Sequence, residues 1–393
     1  MKKSICIIGS GTAGLQLAYA LKENFDVTVI ERRSPDQIRQ GRIMSTQVHF
    51  GPTRNREKRF GMPEWKEQKL IESIHVTIGD KKLFTGMLKE PALSIDQRLS
   101  YSHYIEDLTS KGVSFRFEKV IKENIEALID NFDLVIDCTG KTGPLLPFPI
   151  EEDLSPFKTP LRKCIVGYFL GIKPNTPLGV NVTVLPELGE MFEIPAITER
   201  GPVTILFITA VPNNKLDVFK GIKKQEEFTL KMKSTVQKFF PEIYKRIKED
   251  EFTLCDENSF LQIAFIPVIR RPYLFIKNKL VVGCGDSIFL NDPITGQGSN
   301  LASYCAEKLY ETLIEYKDSE WDAQTGESYW NRTKQYVKEV TGWTNAMAMP
   351  LPEHVIHFLL QGAQDQVKAD AVAEWFSNPA KAYQVFFPSK VKQ

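Results

Sequence analysis

The sequence lacks an excess of charge, a membrane span and paired cysteines. Fifty Lys and Arg residues balance 49 Asp and Glu residues, and this net charge of +1 predicts no surface for nucleic acid or an anionic membrane. No run approaches the roughly 20 apolar residues that cross a bilayer. None of the six cysteines stands in a C-x-x-C arrangement, which favours a reducing cytoplasm over a disulfide framework.

Motifs for hydrolytic and metal chemistry are also missing. Neither G-x-S-x-G nor H-E-x-x-H occurs. His354 and His357 share a helical face, but no set of carboxylates or thiols accompanies them, so we predict no metal site. The N-terminus imitates a signal peptide only superficially, because glycines interrupt its apolar stretch. We therefore expect a cytoplasmic protein.

The hydrophobic pattern predicts a chain of two packed layers. With 393 residues, of which 42% are hydrophobic and 25% charged, the chain is long enough for two domains. The first predicted elements are a strand, a helix and a strand, at 4–8, 13–23 and 26–30. Residues 32–91 read as irregular apart from a strand at 74–78. Longer strands at 156–269 predict an antiparallel sheet, and helices are predicted beyond Trp321.

A glycine-rich turn joins the first strand to the first helix. The turn comprises Gly9, Gly11, Thr12, Ala13 and Gly14. Gly9 permits a tight turn, Gly11 lets the backbone approach a pyrophosphate, and Gly14 brings helix and strand together. The helix N-terminus attracts the anion, and Glu31, at the end of the next strand, is placed to accept hydrogen bonds from the adenosine ribose. This combination predicts a dinucleotide site.

A second glycine-rich segment indicates which dinucleotide is bound. A predicted strand at 280–282 leads into Gly285-Asp286, and a Pro- and Gly-rich turn then opens a helix. This arrangement resembles the second FAD motif of flavoprotein hydroxylases. The resemblance implies that Asp286 bonds the ribityl chain and that the helix starting near Gly298 points its N-terminus at the pyrimidine edge of the flavin. The other implied cofactor-binding residues are Pro293, Gly296, Ser299 and Asn300. The two segments together favour FAD over NAD.

One motif of single-component hydroxylases is missing. Those enzymes carry an Asp-Gly pair and a downstream Arg that serve both FAD and NADPH. The equivalent stretch, 133–143, has the strand but lacks the pair and the Arg. There is also no second G-x-G-x-x-G in the chain. We therefore expect one dinucleotide site, occupied by flavin, and electrons that arrive by another route.

Shorter motifs are dispersed along the chain, in segments 9–14, 41–42, 133–141, 155–157, 166–173, 292–300, 302–304 and 343–345. On these segments the chain resembles the epoxidase component of styrene and indole monooxygenases. The resemblance implies an α/β fold with a Rossmann-like FAD-binding domain of the flavoprotein aromatic hydroxylase type, an antiparallel-sheet substrate domain and C-terminal helices. The predicted FAD-binding domain spans 1–50, 93–155 and 270–320, the substrate domain 51–92 and 156–269, and the C-terminal segment 321–393.

In the family that this chain resembles, the substrate preference is associated with a few residues beside the flavin. Styrene-type members carry asparagine and valine where this chain has Ser45 and Gln47, whereas indole-type members carry serine and glutamine. Indole-type members also carry alanine at the position aligned with Ala92. His49 departs from the indole-type pattern, because histidine at this position is what styrene-type members carry. The resemblance implies an indole-type site with Ser45, Gln47 and His49 as its catalytic-site residues and Ala92 in the substrate pocket, and the styrene type stays open.

The implied activity is that of a two-component monooxygenase. An NADH-dependent flavin reductase would supply FADH2, and a flavin C4a-hydroperoxide would transfer one oxygen of O2 to the double bond of indole. We expect Gln47 to accept a hydrogen bond from the indole N–H. Arg42 is expected at the FAD phosphate or ribityl chain, with Arg98 as a second candidate.

Three other readings of the sequence stay open. A single-component hydroxylase should turn over with NAD(P)H alone, and a halogenase of this fold should carry a W-x-W-x-I-P string, which is missing here. A non-catalytic flavin-binding module is the third reading. The oligomeric state, including a homodimer, also stays open.

Overall fold

The computed structural model describes residues 2–65 and 68–388. In chain order the strands β1 to β16 are Ser4–Ile8, Asp26–Glu31, Ile71–Ile78, Lys81–Ala92, Ser114–Phe117, Leu134–Asp137, Lys163–Leu170, Gly179–Leu185, Gly189–Thr198, Gly201–Ala210, Thr253–Leu254, Phe260–Ala264, Val268–Ile269, Tyr273–Ile276, Lys279–Gly283 and Phe289–Leu290. The helices α1 to α12 are Thr12–Leu21, Pro35–Arg39, Gly51–Arg59, Gln97–Ser110, Ile125–Asn131, Gln225–Phe239, Pro241–Tyr244, Gly298–Glu315, Ala323–Met347, Glu353–Gly362, Gln366–Ser377 and Pro379–Phe386.

A six-stranded sheet forms the first layer, in the order β14-β15-β6-β1-β2-β5. Its pairs are parallel except for β14 with β15. The side chains of β1 and β6 are almost all buried, as expected of parallel strands covered on both faces. Ile8 pairs with Ile30 and Asp137, and Asp137 pairs with Gly283, so these strands end at one edge of the sheet. The turns that follow them therefore meet there.

An eight-stranded sheet forms the second layer, in the order β11-β7-β10-β9-β8-β3-β4, with β12 also pairing with β7. Its pairs are antiparallel except that of β3 with β8, which is parallel. The long connection between these two strands permits parallel pairing. Side chains alternate between two cores. Phe169 and Leu206 pack with α6 residues such as Phe228, whereas Tyr168 and Phe207 face the opposite side.

The predicted first elements are confirmed, since β1, α1 and β2 follow one another as a strand, a helix and a strand. The predicted strand at 74–78 is confirmed as part of β3. The prediction of irregular structure for the rest of 32–91 is wrong, because α2, α3 and β4 lie there. Strand β4 is difficult to recognise in the sequence because it contains charged residues, Gly86 and Pro91, although its side chains alternate in burial. Gly86 is needed because a Cβ at this position would lie 2.1 Å from the Ala369 oxygen of α11. The contact that specifies Gly86 is therefore tertiary.

Strand β9 was not among the predicted strands. It contains Pro195, and Pro cannot donate to a strand ladder. The pairing of β9 with β8 ends at Glu193, two residues before Pro195. On its other side Pro195 is opposite Thr204 of β10.

The C-terminal helices are confirmed, with a break between α9 and α10 at Pro350 and Pro352. Helix α11 packs on β4, where Asp370 accepts from the Met87 N–H at 2.7 Å and Glu374 accepts from the Lys89 N–H at 2.8 Å. The helices thus cover the outermost strand of the second sheet, while the predicted domain boundaries stay a prediction. In the described part of the chain, no helix combines the length and apolar character that crossing a membrane requires.

Candidate active site

A cavity of about 580 Å³ lies between the edge of the first sheet and one face of the second. The turns after β1, β6 and β15 form one side of it. Strands β3, β7, β8, β9, β10 and β12 form the other side, through Ile74, Val166, Val180, Phe192, Ile194, Phe207, Leu261 and Ile263. One end of the cavity is therefore polar and the other, called here the apolar wall, is lined by these eight side chains.

The dinucleotide turn has the geometry that its glycines predict. Gly9 has a φ of 103°, and a Cβ there would lie 2.3 Å from the Cys138 oxygen. A Cβ on Gly14 would lie 2.0 Å from the Gly9 oxygen, so Gly14 permits the close approach of helix and turn. Gly11 is different, since a Cβ there would meet nothing within 4 Å and its backbone faces the cavity. The open space at Gly11, beside the start of α1, fits a pyrophosphate.

Glu31 lies at the same end of the cavity. Its Oε2 accepts from the Ser10 backbone N–H at 3.0 Å and from the Ser10 hydroxyl at 2.8 Å. Its Oε1 accepts from the Arg33 N–H at 3.2 Å. These bonds hold the carboxylate beside the turn, and the end that contains Glu31 is called here the Glu31 end. The placement suits the predicted contact with an adenosine ribose.

The second glycine-rich segment lines the cavity next to the first. Asp286 follows β15 and faces the cavity, where burial raises its pKa and the charge of Lys141 opposes the rise. Gly296 has a φ of 63°, which glycine adopts without strain, and α8 begins two residues later. The hydroxyl of Ser299 is buried at the start of α8 and has no partner among the described residues. Pro293, Gly296, Gly298 and Ser299 all line the cavity, and this donor-rich end fits a flavin cofactor.

Gln47 belongs to a cluster of polar side chains between the two ends of the cavity. Its Oε1 lies 3.3 Å from the Thr12 hydroxyl, 3.2 Å from Gln97 Nε2 and 3.3 Å from the Tyr101 hydroxyl. Gln97 Nε2 also donates to the Tyr101 hydroxyl at 3.0 Å. The cluster joins the dinucleotide turn to α4. Ser45 lines the same cavity, and its backbone oxygen accepts from the Tyr168 hydroxyl of β7 at 3.2 Å.

Six of the predicted site residues lie outside the cavity lining, namely Gly14, Arg42, His49, Ala92, Arg98 and Asn300. His49 Nδ1 lies 2.6 Å from a carboxylate oxygen of Glu57. Ala92 is fully buried at the end of β4. Arg42 Nε donates to the Phe260 oxygen at 3.1 Å, and its guanidinium lies 5.0 Å from the centre of that ring.

Arg98 and Asn300 make buried contacts within the protein. The guanidinium of Arg98 bonds Asp96 at 2.7 Å and Asp256 at 2.8 Å. Asn300 Nδ2 donates to the Val48 oxygen at 2.9 Å, and its Oδ1 accepts from the Thr53 hydroxyl at 2.7 Å. Asn300 thereby fastens the segment that carries Gln47 to the start of α8.

The lining residues that the sequence analysis missed include Gln97, Tyr101, Lys141 and Phe376. Gln97 and Tyr101 are four residues apart on α4, so they share a helix face, and that spacing could have paired them. Lys141 lies in the stretch 133–143, which was considered for the hydroxylase motif that it lacks and for the family resemblance. Phe376 carried no signal, because only the packing of α11 brings it to the cavity.

Comparisons with known proteins agree with this architecture. Residues 140–246 match the family described as "Styrene monooxygenase A putative substrate binding domain", and residues 7–35 match the NAD(P)-binding Rossmann-like domain. Among solved structures, PqsL of Pseudomonas aeruginosa, described as a probable FAD-dependent monooxygenase, has a TM-score of 0.66 at 15% identity and covers 94% of this chain and 99% of its own. A flavoprotein/dehydrogenase of Cytophaga hutchinsonii has a TM-score of 0.69 at 14% identity, with 97% and 93% covered. These structures share the fold.

Curated relatives extend the likeness to the full length. Styrene monooxygenase StyA of a Pseudomonas species is 31% identical over 100% of this chain and 97% of its own. StyA of Pseudomonas fluorescens is 30% identical over the same shares of the two chains. Identity at this level over complete chains, together with a cavity that fits FAD, establishes the relationship. The chain belongs to the styrene monooxygenase family of FAD-dependent monooxygenases.

Proposed function

We propose that this chain is the oxygenase component of a two-component enzyme that epoxidises indole. A separate NADH-dependent flavin reductase supplies FADH2. One atom of O2 enters the double bond of indole, the other leaves as water, and the two electrons come from FADH2, which returns to FAD. The observation that carries the proposal is the position of Gln47, which lies within hydrogen-bonding distance of Thr12 in the dinucleotide turn and lines the same cavity as the apolar wall.

The stretch 133–143 supports delivery of electrons by a separate protein. Asp137 directs both carboxylate oxygens to its own loop. Oδ1 accepts from the Thr139 hydroxyl at 2.6 Å, and Oδ2 accepts from the Leu145 N–H at 2.7 Å. Asp137, the last residue of β6, is thus engaged in local structure rather than facing a nicotinamide nucleotide. A reductase that carries its own nicotinamide site is the simplest source of FADH2.

The chemistry required of the protein is binding, orientation and exclusion of water. Reduced FAD, when bound, supplies the activation of O2. The residues that would hold the cofactor are those of the two glycine-rich segments, and the apolar wall would hold a flat aromatic ring beside it. Phe376 of α11 completes the lining from the C-terminal helices. The Gln97 side chain donates to the Gln47 oxygen, which favours one orientation of that amide.

Gln47 is the residue on which we expect the preference for indole to depend. The three groups around its Oε1 lie at 3.2 to 3.3 Å, longer than the roughly 2.7 to 3.0 Å that is most common. The Thr12 and Tyr101 hydroxyls bond each other at 2.7 Å, so only one of their two protons is left for this oxygen. These bonds are therefore weak, and an indole N–H has to displace only one of them. Styrene has no N–H to offer, so the same contact would distinguish the two substrates.

Styrene is the second candidate substrate, because both curated relatives are named styrene monooxygenases. His49 also matches the residue expected in the styrene type. In this structure the His49 ring bonds Glu57, and it does not line the cavity. We therefore give His49 less weight in substrate choice than Ser45 and Gln47, which do line it.

The test is aerobic turnover of indole by the purified chain with FAD, NADH and an unrelated flavin reductase. Styrene is measured in parallel, and a reaction without the reductase is the control. Blue indigo that forms only with the reductase supports both the two-component mechanism and the choice of indole. Faster formation of styrene oxide moves the substrate to styrene, and turnover with NADH alone contradicts the two-component mechanism.

A further inference from the structure

Lys141 is a basic residue of the cavity that has no ion-pair partner among the described carboxylates. It lies in the short turn Gly140–Thr142 that follows β6. Its Nζ donates to the Met44 backbone oxygen and lies 5.3 Å from the centre of the Phe265 ring. Met44, Phe265 and Lys141 all line the cavity. Lys141 is therefore held within the lining of the candidate site.

The other basic residues of the lining lie elsewhere. Arg32 and Arg33 directly follow Glu31, and Lys119 follows Glu118, whose N–H donates to the Glu31 backbone oxygen at 2.9 Å. These three cations belong to the Glu31 end. Lys141 is separated from them and lies beside Phe265, next to the apolar wall.

The surroundings of Lys141 make a nearby anion favourable. Burial lowers the pKa of Lys141, and the more distant charge of Asp286 opposes this change. An ammonium that is partly removed from water and has no carboxylate in contact gains free energy when a negative charge is placed beside it. The oxidised flavin ring is neutral, whereas the reduced ring carries negative charge. An ammonium beside the ring would therefore interact more favourably with the reduced cofactor than with the oxidised one.

We propose that Lys141 is the counter-charge of reduced FAD in this cavity and makes the site bind reduced FAD more tightly than oxidised FAD. The proposal rests on the proposed function only in that the chain receives its FAD already reduced. A cation close to the ring stabilises the charged redox state in a water-poor site more than it would in water. Such a preference would draw FADH2 to this chain and favour the release of FAD after turnover.

The test compares Lys141→Met, Lys141→Gln and Lys141→Arg with the unchanged protein. Affinity is measured by titration with oxidised FAD and, under anaerobic conditions, with reduced FAD, and the potential of bound FAD is measured by equilibration with a reference dye. The Met and Gln variants should lose about tenfold more affinity for reduced than for oxidised FAD, which lowers the two-electron potential by about 30 mV. Arg should keep the potential close to that of the unchanged protein.

The Gln variant distinguishes the loss of the positive charge from the loss of the hydrogen bond to the backbone, because its amide can still donate to the Met44 oxygen. Lys119→Met is the matched control, and we expect it to change the affinity of both redox states by the same factor. An unchanged potential in both neutral Lys141 variants, or equal loss of both affinities, would overturn the proposal. No substrate or reductase enters these measurements, so a failure of the indole reaction does not affect their outcome.

Discussion

The hydroxyl of Thr12, at the start of α1, lies 2.7 Å from the hydroxyl of Tyr101 on α4. Thr12 belongs to the dinucleotide turn, and Tyr101 follows Gln97 by one helical turn. Both hydroxyls also lie within hydrogen-bonding distance of Gln47 Oε1. The proposed substrate-selecting residue is thus bonded to the turn proposed to hold the FAD phosphates. A change in this cluster should affect substrate selection and cofactor binding together.

Substitution of Gln47 by Val should reduce the turnover of indole more than that of styrene. The change removes the oxygen that an indole N–H would reach, and one net hydrogen bond of roughly 1 kcal/mol corresponds to about fivefold in rate. Initial rates with both substrates, measured with the same reductase, check the expectation, and styrene serves as the internal control. Equal losses with the two substrates would exclude the proposed contact.

Replacement of Tyr101 by Phe should lower the ratio of indole to styrene turnover in the same direction, by a smaller factor. The ring stays in place, but the cluster loses the hydroxyl that lies beside Gln47 Oε1 and accepts from Gln97. Residues that act in one hydrogen-bonded cluster are not independent, so the double variant with Gln47→Val should lose less than the sum of the single effects. Additive effects in the double-mutant cycle would mean that Tyr101 does not act through Gln47.

The two helix-side glycines of the dinucleotide turn should respond differently to an added methyl group. Gly11→Ala has room for its Cβ, so the FAD-free protein should keep its stability, while FAD affinity should fall by about tenfold or more because the methyl enters the space of the pyrophosphate. Gly14→Ala forces its Cβ against the Gly9 oxygen and should cost roughly 1–3 kcal/mol of stability without FAD. Thermal unfolding and FAD titration of both variants distinguish the effects. Equal stability of the two FAD-free variants would contradict the close contact at Gly14.

Arg98→Met should destabilise the FAD-free protein by roughly 3–5 kcal/mol, because it leaves Asp96 and Asp256 without their buried partner. Urea unfolding without FAD measures this loss. The earlier expectation, that Arg98 contacts FAD, predicts a different result. In that case FAD affinity would fall while the stability of the FAD-free protein stayed unchanged.

The same ion pair predicts how stability depends on pH. Burial raises the pKa of Asp256, but its hydrogen bonds with Arg98 and the charge of Arg98 outweigh this and leave the pKa below its usual value. A carboxylate whose pKa is lower in the folded state contributes stability that is present above its unfolded pKa, about 3.9, and is lost as pH falls through the folded pKa. Asp256→Asn should therefore lose less stability than the unchanged protein when the pH is lowered from 5 to 3. A parallel acid dependence of the two proteins would contradict the assignment.

Much of the first layer could be predicted because its signals are local. Gly9, Gly14 and the buried strand before them specify a turn through contacts within one strand-turn-helix unit. Asp286 and the turn before α8 are of the same kind. By contrast, the stretch that contains Gly86 was predicted to be irregular, and only the packing of α11 explains why glycine stands in β4. Arg42 and Arg98 were expected at FAD from resemblance alone, and their contacts with Phe260 and Asp256 join segments far apart in the chain.

The sequence by itself determined the dinucleotide turn, the FAD motif and the family, because short segments with fixed spacing encode them. Only the tertiary structure decided what surrounds Gln47 and Lys141. The Gln47 oxygen receives donors from α1 and α4, and Lys141 reaches Met44 and Phe265, which precede and follow it by long stretches of chain. Such environments depend on how the two sheets pack, and packing sums many contacts between distant residues that no local pattern records.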